Sequence, residues 1–261
     1  MHAIQKEYMM NGVHTKYPVT KDKYDAVLFD LDGVVTKTAK IHAACWKTTF
    51  DEYLEKRSVR TDETFRPFDI ATDYLLYVDG KPRYDGVRDF LKSRNIILPE
   101  GSLDDPSQTE TVYGLGNRKN ELVEEAIETD GVDVYEGALA FLEYVRGEGI
   151  STAVVTSSQK CHAVLQAAGI EDFFEVEIDA NTIVQQQLAG KPAPDSFLKA
   201  AQLLDVQTKR AVVIEDAISG VQAGVRGCFG LVIGVARKDN AEELKIHGAH
   251  IVVTDLRELV P

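Results

Sequence analysis

An α/β fold, a parallel-sheet core split by an inserted helical domain, is predicted by three features of the sequence. From Val134 onward short apolar runs alternate with helical stretches, the texture of a parallel sheet covered by helices. One further apolar run, Ala26-Val27-Leu28-Phe29, stands alone far upstream. Between them no Val/Ile-rich run occurs, only helical patterns and loops. A lone strand cannot satisfy its backbone or bury its apolar face, so the first run must join the later sheet.

The elements follow in order. Residues 1–23 read as a polar N-terminal arm, and order begins at Asp25. The Ala26–Phe29 strand leads into Asp30-Leu31-Asp32-Gly33-Val34-Val35. Over 39–57, Ile41, Cys45, Trp46, Phe50 and Leu54 recur at helical spacing among Lys, Asp and Glu, which predicts an amphipathic helix. Helical patterns continue to about Gly131, broken by Pro99-Glu100-Gly101 and Asp104-Asp105-Pro106, and define an insert over 39–133. Strands are then expected over 151–156, 211–214, 231–235 and 251–253, with helices over 160–168, 196–204 and 217–224. The core is therefore 24–38 joined to 134–261. No internal repeat or low-complexity tract interrupts it.

Composition narrows the function. The 261 residues carry 29 Lys plus Arg against 42 Asp plus Glu, a net charge of −13. A nucleic-acid or anionic-membrane partner would bind against that field, whereas a small anionic substrate needs only a local basic or metal-filled pocket. Cys45, Cys161 and Cys228 are odd in number and far apart, with no C-x-x-C pair, as expected of thiols in a reducing compartment. No stretch reaches bilayer length and the first twenty residues lack a signal peptide's apolar run, so the expectation is a soluble cytoplasmic protein.

Chemistry concentrates at strand ends. Side chains two apart on an extended chain share a side, which aims Asp30 and Asp32 at one target, and Gly33 lets the chain turn. Open α/β sheets bind ligands at this end, and two acids in a partly dehydrated cleft need a cation or a shared proton. Thr156-Ser157-Ser158 follows the next strand; it suits a phosphate, and equally an ordinary helix N-cap. Lys191 lies in Gly190-Lys191-Pro192-Ala193-Pro194-Asp195, where two prolines can stiffen a loop that fixes a cation, although most single lysines are surface groups. Glu215-Asp216 ends another strand and could instead complement a helix dipole. Together they close a charge balance. With Asp32 protonated, Asp30, Glu215 and Asp216 offset one Mg²⁺ and the Lys191 ammonium, leaving a neutral, donor-rich site for phosphate.

In this order D-L-D-G-V, T-S-S, G-K-P-A-P-D and I-E-D-A-x-x-G-x-x-A resemble the four motifs of the haloacid dehalogenase (HAD) superfamily of phosphotransferases. Asp30 to Thr36 with Thr38, His42 and Trp46, then Arg118-Lys119-Asn120, Asp133-Val134-Tyr135-Glu136-Gly137 and Lys191 to Asp195, resemble its β-phosphoglucomutase subfamily. The resemblance runs from Tyr24 to the C-terminus and implies a Rossmann-like core with an inserted α-helical cap.

It also implies roles. Asp30 is the nucleophile that forms an aspartyl phosphate, and Asp32 the general acid/base for the leaving and attacking oxygens. Mg²⁺ is held by the Asp30 carboxylate, the Asp32 carbonyl and Asp216, with Glu215 direct or through water. Thr156 and Lys191 hold the transferring phosphoryl group, Ser158 helps hold the phosphate, and Ser157 is a further substrate-binding residue. Thr38, His42, Trp46, Lys119 and Asn120 face the substrate, and Arg83 is a candidate for its distal phosphate. The implied substrate is a sugar phosphate, β-glucose 1-phosphate converted to glucose 6-phosphate, by a monomer or weak dimer. Two departures point to an alternative, a sugar-phosphate phosphatase using the same nucleophile. Lys37 replaces a usual acid near the cap hinge, and Ser157-Ser158-Gln159-Lys160 lacks the Lys-Asn pair that relatives use for a second phosphate.

Overall fold

A computed structural model describes residues 19–237 and 240–261. The N-terminal arm falls largely outside the described residues; of its end, Val19 is buried in the core and its carbonyl accepts a 3.1 Å hydrogen bond from the Tyr144 hydroxyl.

Six strands form one all-parallel sheet in the order β3-β2-β1-β4-β5-β6: β1 (Ala26–Phe29), β2 (Ser151–Val155), β3 (Val176–Ile178), β4 (Ala211–Glu215), β5 (Leu231–Val235) and β6 (Ile251–Val253). This is the doubly wound, Rossmann-like strand order, whose switch point lies beside the first strand. β1 sits at the centre, with Ala26 opposite Ser151 on one side and Ala211 on the other. Its four residues are all buried because both sheet faces are covered. Val27 and Phe29 pack with Phe141, Leu142, Val154 and Ile233 on one face, while Ala26 and Leu28 pack with Val155, Phe197, Val213 and Val232 on the other. The alternation is the two-residue period of a strand.

Residues between β1 and β2 are helical. α1 (Ala39–Thr61), a nine-residue π-helix (Ile70–Val78), α2 (Arg83–Ser93) and α3 (Val112–Asp130) enclose a separate aromatic cluster. In it Phe50 stacks on Trp46 at 5.1 Å between ring centres and meets Phe90 at 4.0 Å. The long first helix outruns its expected end at 57 by one turn, closed by Asp62 in the left-handed region. α4 (Glu136–Gly147), α5 (Cys161–Ala168), α6 (Ala180–Gln185), α7 (Asp195–Leu203), α8 (Ile218–Arg226) and α9 (Ala241–Ile246) complete the chain. No helix among the described residues is long and apolar enough to cross a membrane.

Candidate active site

β1 and β4 end side by side, and the Asp30 amide donates to the Ile214 carbonyl at 3.0 Å. That register brings Asp30 alongside Glu215 and Asp216. The loop leaving β1 turns back at once: Val35 and Thr36 donate to the Leu31 carbonyl, and Gly33 takes φ +92°. A side chain at Gly33 would be strained by that φ and would also collide with the Asp216 carboxylate, so glycine is required twice over.

Lys191 is buried beneath these acids. Its Nζ lies 2.6 Å from Asp30 Oδ1, 2.6 Å from Glu215 Oε1 and 2.9 Å from the Val155 carbonyl. Burial alone would lower the ammonium pKa, yet Asp30 and Glu215 hold it above the ordinary lysine value. Burial and the neighbouring Glu215 push Asp30 well above the carboxylate range, against the pull of Lys191. Asp30, Glu215 and Asp216 each offer an oxygen within 4.8 Å of the others. Three carboxylates against one ammonium leave two negative charges, which suits a divalent cation on oxygen ligands.

Asp32 has different company. Its Oδ1 accepts from the Thr38 hydroxyl and lies 3.3 Å from His42 Nε2, while Oδ2 is 3.3 Å from Thr156 Oγ1. His42 Nδ1 in turn meets Lys119 Nζ at 2.7 Å, and that ammonium sits 5.2 Å from the centre of the Trp46 ring. Burial would raise the Asp32 pKa, but His42, Thr38 and Lys119 outweigh it and hold the group far below the usual range. The sequence reading balances charge with Asp32 protonated, whereas its surroundings here, His42, Thr38 and Lys119, favour the carboxylate form. Lys119 is itself lowered by burial to about 8, against the opposing effect of Asp32.

Other expected residues divide. Asp30, Asp32, His42, Trp46, Arg83, Lys119, Thr156, Ser157, Ser158 and Asp216 line one cavity of about 60 Å³. Thr38 is buried behind it on Asp32. Asn120 points elsewhere: its amide donates to Glu124 at 2.8 Å, and it lines a separate shallow cleft with Asn117 and Gln159. Thr156 does not cap the following helix; its hydroxyl accepts from the Ser158 amide at 3.0 Å. Ser157 donates at 3.0 Å to the Gly80 carbonyl, stitching the insert to the core. Arg83 donates to Gln159 Oε1 at 3.0 Å across the same seam.

Several neighbours escaped the sequence reading. Tyr74, Val78, Asp79, Gly80 and Lys81 also line the cavity. Arg237, just after β5, donates to the Gly33 carbonyl at 2.6 Å and the Val34 carbonyl at 3.1 Å, clamping the acidic loop. Its position past a strand end was the one available signal.

Known proteins resemble this chain over most of its length. A family model described as haloacid dehalogenase-like hydrolase matches residues 24–227. A β-phosphoglucomutase of Mycobacterium bovis is 48% identical over 262 residues, covering 97% of this chain and 100% of that protein. Hexitol phosphatase A of Escherichia coli is 26% identical, covering 89% of this chain and 91% of its own length. Among solved structures, a β-phosphoglucomutase from Clostridium difficile matches with a TM-score of 0.69 and 25% identity, over 90% of this chain and 93% of that one.

Proposed function

The chain belongs to the haloacid dehalogenase-like hydrolase family, and from that premise we propose that it is a β-phosphoglucomutase, converting β-glucose 1-phosphate to glucose 6-phosphate through a phosphorylated Asp30. The observation that carries the proposal is the division of labour between two acids one residue apart. Asp30 is tied to Lys191 beside Glu215 and Asp216, while Asp32 is tied to Thr38 and His42. Environments that push two carboxyl groups apart mark separate roles.

Asp30 attacks phosphorus in line, and Lys191 with Thr156 takes up charge on the equatorial oxygens. Asp32 exchanges the proton with the sugar oxygen, serving as acid when it leaves and as base when it attacks. Its ionised form is the base, ready to deprotonate the attacking hydroxyl. The donor set of Asp30, Glu215 and Asp216 fits Mg²⁺, with the Asp32 carbonyl as a further oxygen; bound there, the cation neutralises charge developing on the phosphoryl group. The 39–133 segment is the cap over the 24–38 and 134–261 core. A cavity of about 60 Å³ is far below the roughly 300 Å³ of ordinary ligand sites, so the cap must swing away to admit substrate and return to exclude water. Arg83, on the cap side of the cavity, is assigned to the distal phosphate.

A second reading, a sugar-phosphate phosphatase, is favoured by one observation. Lys160, the remaining cation of the loop after β2, is 2.7 Å from Glu124 rather than free for a second phosphate. We place the enzyme in the cytoplasm as a monomer or weak dimer, consistent with three unpaired cysteines.

The deciding assay supplies β-glucose 1-phosphate with Mg²⁺ and a trace of the bisphosphate. Glucose 6-phosphate is expected; release of inorganic phosphate instead would establish the phosphatase. Asp30→Asn is expected to lose at least about 10⁴-fold in kcat, as removal of a covalent nucleophile does. Retained turnover in that variant would end both readings.

A further inference from the structure

The cap contributes a pair to the cavity that the phosphoryl chemistry leaves unused. Tyr74 and Asp79 both line it, and the Tyr74 phenol is near enough to Asp32 and Asp216 to feel their charge. Their placement is elaborate. Tyr74 is buried in a nine-residue π-helix that ends at Val78, and π-turns, which widen the backbone to re-aim side chains, are concentrated at functional sites. The Asp79 side chain hydrogen-bonds the Tyr74 hydroxyl. The Asp79 carbonyl accepts from Ser219 Oγ at 3.0 Å, just as the next carbonyl, that of Gly80, accepts from Ser157. Gly80 at φ +67° lets this turn lie against Ala217 and Ser219, where a Cβ would clash. The turn therefore meets the core on both sides of the nucleophile, at the loops after β2 and β4.

A carboxylate so held has chemical consequences. It repels phosphate, and the proposed mechanism already gives the nucleophile and proton-transfer roles to Asp30 and Asp32. While this carboxylate receives the Tyr74 hydroxyl, its remaining acceptor positions match a hydroxyl donor, and the phenol oxygen can accept from the hydroxyl beside that one. Such neighbours recognise a vicinal diol. Lys191, Thr156 and Arg83 are the contrasting groups that recognise phosphate.

We propose that Asp79, with Tyr74, is a specificity-determining residue that reads adjacent hydroxyls of the sugar ring when the cap is closed, selecting polyhydroxylated phosphate esters. The inference rests on the reading of a sugar-phosphate enzyme above and adds which part of the sugar is sensed. Closure and recognition are coupled, because the same Asp79 that faces the diol carries the carbonyl latched by Ser219.

The test compares substrates within each protein. Wild type, Asp79→Asn and Tyr74→Phe are assayed for kcat/KM with β-glucose 1-phosphate and with its monodeoxy analogues at ring positions 2, 3 and 4. Wild type is expected to prefer the parent over at least one analogue by about tenfold or more, since a buried group built to bind a hydroxyl is left unpaired without it. Both variants are expected to lose most of that preference at the same ring position, with matched thermal unfolding midpoints. Unchanged preference in the variants overturns the inference while leaving the mutase reading intact. Uniform loss across all substrates also overturns it, since that is the signature of damaged closure rather than recognition. If Asp79→Asn unfolds, Tyr74→Phe decides, because it removes only the phenol oxygen. Failure of wild type to process any of these esters would overturn the sugar-phosphate reading itself, and this inference with it.

Discussion

Asp30 and Asp32 are separated by one residue yet draw their partners from two different halves of the molecule. Asp30 is held by core residues: Lys191 binds it, and Glu215 shares that lysine. Asp32 reaches through Thr38 to the hinge and through His42 to Lys119, both from the insert. On the proposed mechanism the nucleophile is thus assembled by core residues alone, whereas the proposed proton-transfer group is completed by contact with the insert. On that mechanism the insert would set when a proton moves without disturbing the site proposed to hold the phosphoryl group.

Replacing Lys191 with Met is the strongest way to break this contrast on the core side. It removes the ammonium from between Asp30 and Glu215, both buried. An uncompensated buried charge costs about 3–5 kcal/mol, read as a fall in the denaturation midpoint of the metal-free protein. Added Mg²⁺ is expected to recover part of that loss, because a divalent cation offsets the same carboxylates. A variant as stable as wild type without the cation would show that the core half is not held by this ion pair.

The same division explains what the sequence disclosed. Buried parallel strands read as unbroken apolar runs, so β1, β2, β4, β5 and β6 and the acids, threonine and lysine beyond their ends were legible. β3, Val176–Ile178, was not: it is three residues long, lies at the sheet edge and carries Glu177 in its middle. The insert showed its helices but not their registers. Asn120 follows Lys119 in sequence yet turns to Glu124, because neighbouring positions on a helix point about a hundred degrees apart. The pull that lowers the Asp32 pKa comes in part from His42 and Lys119, which meet across 77 residues of chain, a contact no local pattern encodes. The π-helix likewise has no periodicity signature, which concealed Tyr74 and Asp79.

On the cap side the corresponding probe is pH. Burial lowers Lys119 from 10.5 to about 8, so between those values the unfolded chain binds more protons than the folded one. Stability therefore rises with pH through that window relative to a Lys119→Met variant, and the penalty of burying the charge is present in full below it. Activity is expected to move the opposite way: kcat/KM falls above about pH 8, as the cation facing His42 is lost and the setting of Asp32 changes. Chemical denaturation and initial rates across pH 6.5–10, in wild type and Lys119→Met, separate the two. A wild-type stability curve parallel to the variant's through the window would mean that Lys119 is not buried as a cation, and the cap's hold on Asp32 would need another source.

The smallest expected effect concerns the seam itself. Ser157 and Ser219 donate at 3.0 Å to the carbonyls of Gly80 and Asp79. In an open cap those carbonyls turn to water, so each bond favours closure by only about 1 kcal/mol. Ser157→Ala with Ser219→Ala is expected to raise KM for the sugar phosphate about thirtyfold at most, since two such net contributions shift the closing equilibrium by about 2 kcal/mol. Phosphorylation of Asp30 by a small donor such as acetyl phosphate is expected to suffer less than the full cycle, because the core half needs no closed cap to present its nucleophile. If the double variant instead lost Asp30 phosphorylation as completely as transfer to the sugar, the nucleophile would depend on the cap as much as the acid/base does. The two acids would then form one cooperative unit, and their separate ion pairs would be a structural detail without functional consequence.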